Sequence, residues 1–420
     1  MSQFACKRLK HVVALQRIRA SDDAQSPYVG LENIESWMGR LSTVPEAPVP
    51  SESESEGPSS QSQSSSFETG DILFGKLRPY LAKAWVATFA GRCTTEALVM
   101  RASGVHPRFL LYALLQQSFI KTVDSSTFGS KMPRAEWEFI GSIPIPIPAP
   151  ESQLAIANFL DRETARLDAL VAAKQRVLAL LAEKRKAIIS TAVTRGLDPK
   201  AKLRDSGIPW LGEIPVHWSV ARLKFLAAEP MAYGASEPSE FAIPSHPRFI
   251  RITDIGEDGS LREDTFRSLE PEVATPYLLR CGDMLFARSG ATVGKTFLFA
   301  GKDGSACFAG YLIRFRSNLE RILPSFLSAL AQSTYYWWCI REGSLQATIQ
   351  NFSAEKYGDI VVAVPPLNDQ HAIVDHIAHE SAKLEAMRAA TERTITLLKE
   401  RRSALIAAAV TGQLDLEAAK

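Results

Sequence analysis

The sequence is poor in the features that mark secreted, membrane-spanning or catalytic proteins. Its five cysteines, Cys6, Cys93, Cys281, Cys307 and Cys339, are scattered over 420 residues and never form a CxxC pair. This argues against a disulfide framework and against a zinc site. No apolar run approaches the roughly 18 residues that a membrane span needs, and MSQFACKRLKHVVAL carries charges where a signal peptide is apolar. A cytoplasmic protein without a membrane role is expected. Charge of one sign is also lacking: 48 basic and 46 acidic residues leave +2, which gives no general pull toward nucleic acid. Residues 67–150 hold nine Lys/Arg against six Asp/Glu, and residues 205–364 hold fifteen against eighteen. Any polyanion-binding face in the second stretch must therefore be made by local gathering of cations.

Reactive motifs are missing too. There is no N/D-P-P-Y/F tetrapeptide, no glycine-rich cofactor loop and no carboxylate cluster with a lysine. The stretch SGATVGKT at 289–296 falls short of a phosphate loop because Ser289 stands where the first glycine is required. His371, His376 and His379 have a spacing that does not put them on one helix face, so they read as a solvated helix start. No catalytic residue, cofactor or metal ligand is assigned.

What the sequence does contain is a duplication. The segment from Glu151, ESQLAIANFLDRETARLDAL, aligns without a gap at an offset of 217 with the segment from Asn368, NDQHAIVDHIAHESAKLEAM. Gln153 matches Gln370, Ile156 matches Ile373, Leu167 matches Leu384, and Arg185 matches Arg402. Weaker echoes precede each block in the same order. Arg8-Leu9-Lys10 resembles Arg222-Leu223-Lys224, residues 28–34 resemble 249–255, GDILFGK at 70–76 resembles GDMLFARSG at 282–290, and SIPIPIPAP resembles IVVAVPPL. The chain reads as module, helix, module, helix. Two features break the symmetry: the Ser/Glu/Pro-rich stretch 45–66, expected to be a disordered insert, and a Trp- and Pro-rich entry segment before the second module, DSGIPWLGEIPVHW.

Positions 160, 164, 167, 171, 174, 178, 181, 185, 188 and 192, and their counterparts 377 to 409, form a heptad-like apolar seam with polar breaks. Pro148 and Pro150, and Pro365 and Pro366, precede the two helices, and Gly196 and Gly412 stand where each should stop. Thirty-three residues give a rod of roughly 50 Å, long enough to span two major-groove segments about 34 Å apart. The expected architecture is α+β: two globular mixed α/β domains joined by two long antiparallel coiled-coil helices in an internal pseudo-two-fold repeat. The boundaries are 1–150, 151–203, 204–366 and 367–420.

GDILFGKLRP, RSGATVGKT, IPIPIPAPESQLAIANFLD, KRKAIISTAVTRGLD and SGIPWLGEIPVHW resemble the specificity subunit of type I restriction-modification systems, over nearly the whole chain. That resemblance implies two target-recognition domains, each reading one half of a bipartite double-stranded DNA site. It also implies helical conserved regions that dock two methyltransferase subunits, with restriction/translocase subunits completing the complex. The subunit itself would be non-catalytic. A structural adaptor that holds two protein partners through the duplicated helices without reading DNA is the alternative. Base reading needs Arg, Lys, Asn, Gln and Ser side chains, and these recur at equivalent places. Lys76 and Arg78 follow the first GDILF strand, and Arg288, Ser289 and Lys295 follow the second. Lys131 and Arg134 precede the first proline stretch, and Gln350 and Asn351 hold the matching place in the second half. The run Tyr335-Tyr336-Trp337-Trp338 reads as core.

Overall fold

The computed structural model describes residues 4–17, 26–43, 64–129, 131–208, 210–238, 240–256, 259–302, 304–344 and 351–414. Strands and helices alternate in an α+β arrangement. Two compact units account for the chain: residues 1–175 with 392–420, and residues 176–391.

The first unit opens with β1 (Cys6–Arg8), β2 (Val13–Gln16) and β3 (Tyr28–Val29), then β4 (Ser64–Phe67), β5 (Ile72–Gly75), β6 (Ala84–Val86), β7 (Gly91–Thr94) and β8 (Ala97–Ala102). Helices α1 (Pro107–Leu114), α2 (Gln117–Ser125) and α3 (Trp137–Ile140) and strand β9 (Pro144–Pro146) follow, then the long α4 (Pro150–Arg195). One sheet has the order β2-β8-β5-β6, a second β3-β7-β4, and β1 pairs with β9. Ser64–Ser66, read from the sequence as part of a disordered insert, are instead strand residues of β4 paired with Arg92–Thr94. Pairing there uses main-chain groups that serine supplies as well as valine does, while the buried Phe67 fixes the strand's end. Residues 45–63 of that stretch lie outside the described residues.

The second unit repeats the plan. It begins with a hairpin that has no counterpart among the described residues of the first, β10 (Leu203–Asp205) with β11 (Glu213–Pro215). Next come β12 (Ser219–Arg222), β13 (Ala232–Tyr233), β14 (Arg248–Ile250), α5 (Pro271–Ala274), β15 (Asp283–Ala287), β16 (Thr296–Leu298), β17 (Ala306–Phe308) and β18 (Leu312–Arg316). Helices α6 (Pro324–Leu330), α7 (Thr334–Ser344) and α8 (Ala354–Asp359), strand β19 (Val361–Val364) and the long α9 (Leu367–Thr411) complete the order. The four-stranded sheet β13-β18-β15-β16 matches the first unit's in topology. Its registers agree as well: Ile72 faces Val86 and Met100, and Met284 faces Leu298 and Phe315. The SGATVGKT stretch lies in the turn from β15 to β16, with no helix following it. Its Gly294 is fastened on both sides: Gly294 N donates to Tyr357 Oη at 3.0 Å, which itself donates to Ala287 O at 2.6 Å, and Tyr336 Oη donates to Gly294 O at 2.9 Å. The Gly294 main-chain N–H, which a phosphate loop would offer to its anion, is taken by Tyr357.

The long helices contain 46 and 45 residues, longer than the 33-residue seam suggested, because each begins as soon as the prolines allow. Pro150 is itself the first helical residue of α4. Gly196 and Gly412, at φ +76 and +78, terminate them in the left-handed conformation expected of such stops. Of the seam positions, only Arg185 and Arg388 are exposed.

In the first unit, Ile156, Ala157 and Leu160 share one core with Ile406, Ala409 and Val410. In the second, Ile373 and Ile377 share one with Ile189, Ala192 and Val193. All of these residues but Ala157 pair with one another at the offset of 217.

Candidate nucleic-acid interface

In each module the residues after the central strand and those before the proline stretch are brought together. In the first, the Lys76 carbonyl accepts from Ala135 N at 3.0 Å, and Arg78 N donates to Pro133 O at 2.8 Å. A β-bridge joins Leu77 to Arg134. Arg78 holds a left-handed conformation at φ +50, unusual for a side chain with a Cβ. Arg78 and Lys131 are exposed, whereas Lys76 is half-buried. Arg134 is engaged: its guanidinium donates to both Glu96 carboxylate oxygens at 2.9 to 3.1 Å. That hydrogen-bonded contact pushes its pKa further up.

The second module uses the same frame. The Arg288 carbonyl accepts from Phe352 N at 2.7 Å, and a β-bridge joins Ser289 to Asn351. Arg288 lies over the ring of Tyr233, 4.8 Å from its centroid, and its Nε is buried without a hydrogen-bond partner. Lys295 Nζ donates to Ile255 O at 2.8 Å, which draws it toward a cleft where it shares the lining with Arg185, Gln332 and Arg388. Asn351 is exposed. Gln350 lies outside the described residues. Among the described residues no group of three or more His, Cys, Asp or Glu side chains could hold a metal ion, and no helix is long and apolar enough to cross a membrane.

Lys76 and Arg288, Leu77 and Ser289, and Arg134 and Asn351 thus occupy matching backbone positions with different side chains. The frame beneath them is repeated more closely. Gly70 and Gly282 both have φ +91, and each precedes a buried aspartate. Asp71 pairs with Arg101 at 2.8 Å, and Asp283 with Arg316 at 2.6 Å. Gln153 accepts from His106 N at 2.7 Å and donates to Pro148 O at 2.9 Å, and Gln370 does the same with Leu323 N at 2.8 Å and Pro365 O at 2.9 Å.

The family profile described as type I restriction modification DNA specificity domain matches residues 56–179. Over that stretch the chain resembles a type I restriction-modification DNA specificity domain. Among its relatives, the type I restriction enzyme EcoBI specificity subunit of Escherichia coli is 22% identical over 319 residues, 74% of this chain and 66% of that protein. The EcoDI specificity subunit of Escherichia coli is 28% identical over 141 residues, 33% of this chain and 29% of its own length. The matched region thus spans less than two thirds of either relative. A chain solved in work on complex assembly and conformational transition of the type I R-M system superposes with a TM-score of 0.72 at 22% identity, covering 98% of both chains. The HsdS subunit from Thermoanaerobacter tengcongensis gives 0.53 at 19%, covering 98% of this chain and 97% of its own. These two likenesses establish the fold of the chain.

Three residues of this candidate site were not legible beforehand. Glu96 orients Arg134 from 38 positions away, Tyr233 supports Arg288 from 55 away, and Phe128 stands in water at the loop tip. Only the pairing of β5 with β8, and of β13 with β18, brings the first two into place.

Proposed function

We propose that this chain is the non-catalytic DNA-reading subunit of a type I restriction-modification complex. Each module reads one half of a bipartite double-stranded site. The duplicated helices dock two methyltransferase subunits, and restriction/translocase subunits join that assembly. The observation that carries the reading is one backbone frame, present twice, that offers different polar side chains at matching places. Two half-sites of different sequence call for that combination, since the frame fixes position while side chains select bases. Lys76, Arg78, Lys131 and Arg134 serve the first half-site, and Arg288, Ser289, Lys295, Gln350 and Asn351 the second.

The test is selection from a randomised duplex pool by the chain co-expressed with its methyltransferase partner, at two salt concentrations. Two short motifs at a fixed separation are expected, and recovery of no motif from a correctly assembled complex would overturn the reading. Within the enriched site, Arg288→Ala is expected to weaken one half-site alone, by about 1–3 kcal/mol for a bidentate base contact. An equal loss on every sequence would make Arg288 a phosphate contact.

A further inference from the structure

The loop before β9 in the first module places two large apolar side chains in water. Phe128 is 80% exposed and Met132 is 55% exposed. Apolar residues scattered singly on a surface need no explanation, but these two share a short closed loop. Phe128 and Arg134 exchange both main-chain hydrogen bonds at 3.3 Å, and Gly129, at φ +94, turns the chain between them. The stem is fixed by Arg78 N to Pro133 O, by Ala135 N to Lys76 O, and by the Arg134 pair with Glu96. The two side chains are therefore held outward by an anchored frame.

The charge around them selects the occupant. Lys131 lies between the two apolar positions in sequence, and Arg78 emerges beside the stem; both are exposed. Neither has an ion-pair partner among the described residues. Glu96 is committed to Arg134, and Glu136 is the further acidic group that acts on that arginine. Two apolar side chains on a loop that also carries an unpaired lysine, with an unpaired arginine at its stem, make a poor match for a protein surface, which needs a broader apolar core. They match a polyanion with apolar faces inside it, which is base-paired DNA.

We propose that Phe128, backed by Met132, is an apolar wedge that enters the base stack of the half-site served by the first module, while Arg78 and Lys131 hold the flanking phosphates. This rests on the DNA-reading role proposed above. A wedge recognises how easily a step unstacks, so it adds sequence preference at a place where no hydrogen bond to a base is made.

The test uses the full chain in its methyltransferase complex and the duplex enriched by the wild type, with 2-aminopurine replacing adenine at successive positions of the first half-site. Wild-type binding is expected to raise the fluorescence at one step. Phe128→Ala is expected to abolish that rise and weaken binding about tenfold, with an unchanged preference for the second half-site and an unchanged salt slope. Phe128→Trp is expected to restore the rise, and Lys131→Ala to lower the salt slope by about one. Enrichment of a duplex that Phe128→Ala binds with wild-type affinity and fluorescence would overturn the wedge alone. Loss of preference for both half-sites in Phe128→Ala would assign the residue a structural role and overturn it as well. A wild type that enriches no duplex would overturn the DNA-reading role and the wedge together.

Discussion

Between the two modules, the buried polar fastenings are repeated while the exposed loops are not. A left-handed glycine and an aspartate stand at the head of β5 and again at the head of β15, each aspartate reaching an arginine on the neighbouring strand. The surroundings differ. Asp71 meets an Arg101 side chain that is 41% exposed, whereas Asp283 meets an Arg316 that is 14% exposed and also touches Glu229 at 2.8 Å. The same device is thus solvated in one module and enclosed in the other. Position in the frame decides which residue type is needed, and depth decides how much it contributes.

The comparison can be broken most sharply at these aspartates. Asp283→Ala strands a largely buried guanidinium and is expected to cost about 3 kcal/mol, the low end for breaking a buried pair because Glu229 remains. Asp71→Ala is expected to cost clearly less, since Arg101 can turn toward water and Glu68. Urea unfolding of the two variants gives the order, and equal losses would show that depth does not matter here.

A second contrast lies on the helices. Arg402 sits 2.9 Å from Asp168 with both side chains nearly buried, and it donates to the Trp37 carbonyl at 3.0 Å. Its counterpart Arg185 is exposed and donates to Gln332 at 2.9 Å. Arg402→Ala is expected to cost about 3 kcal/mol and Arg185→Ala less than about 1 kcal/mol. Matching thermal shifts for the two would remove the distinction.

The smallest effect concerns the thiols, where the modules should behave alike. Burial pushes Cys93 and Cys307 up to about 12 from an ordinary value near 9. An unfolded chain ionises these thiols first, so their contribution to stability is complete below pH 9 and is lost as the pH rises toward 12. At pH 8, Cys6 and Cys281, which are exposed, are expected to react with a thiol reagent while Cys93 and Cys307 stay protected until denaturant is added. Fast labelling of either buried thiol would show that its module opens readily.

Much of this was legible because the duplication is ungapped along the helices. An offset of 217 pairs Gln153 with Gln370 and Ile189 with Ile406, and periodicity marks the seam. The matching GD pairs at 70–71 and 282–283 were visible too. Their arginine partners were not, because Arg101 and Arg316 lie at an offset of 215 on strands whose register only the folded sheet sets. Strand β4 escaped for the opposite reason: a serine run carries no alternation, and its pairing is purely main-chain. At the candidate site, the sequence placed the polar groups but not their supports, since Glu96 and Tyr233 act through space and leave no local pattern.

The division of the chain into 1–175 with 392–420, and 176–391, also orders its birth. The second unit is one continuous stretch and has all its parts once residue 391 has emerged. The first lacks Ile406, Ala409 and Val410, which belong to its core, until synthesis is nearly over. At about 5–20 residues per second, the ribosome needs roughly 12–50 s to travel from Gln175 to Thr411. For that interval the older half of the polypeptide waits with an apolar groove open, and the younger half is the first to close.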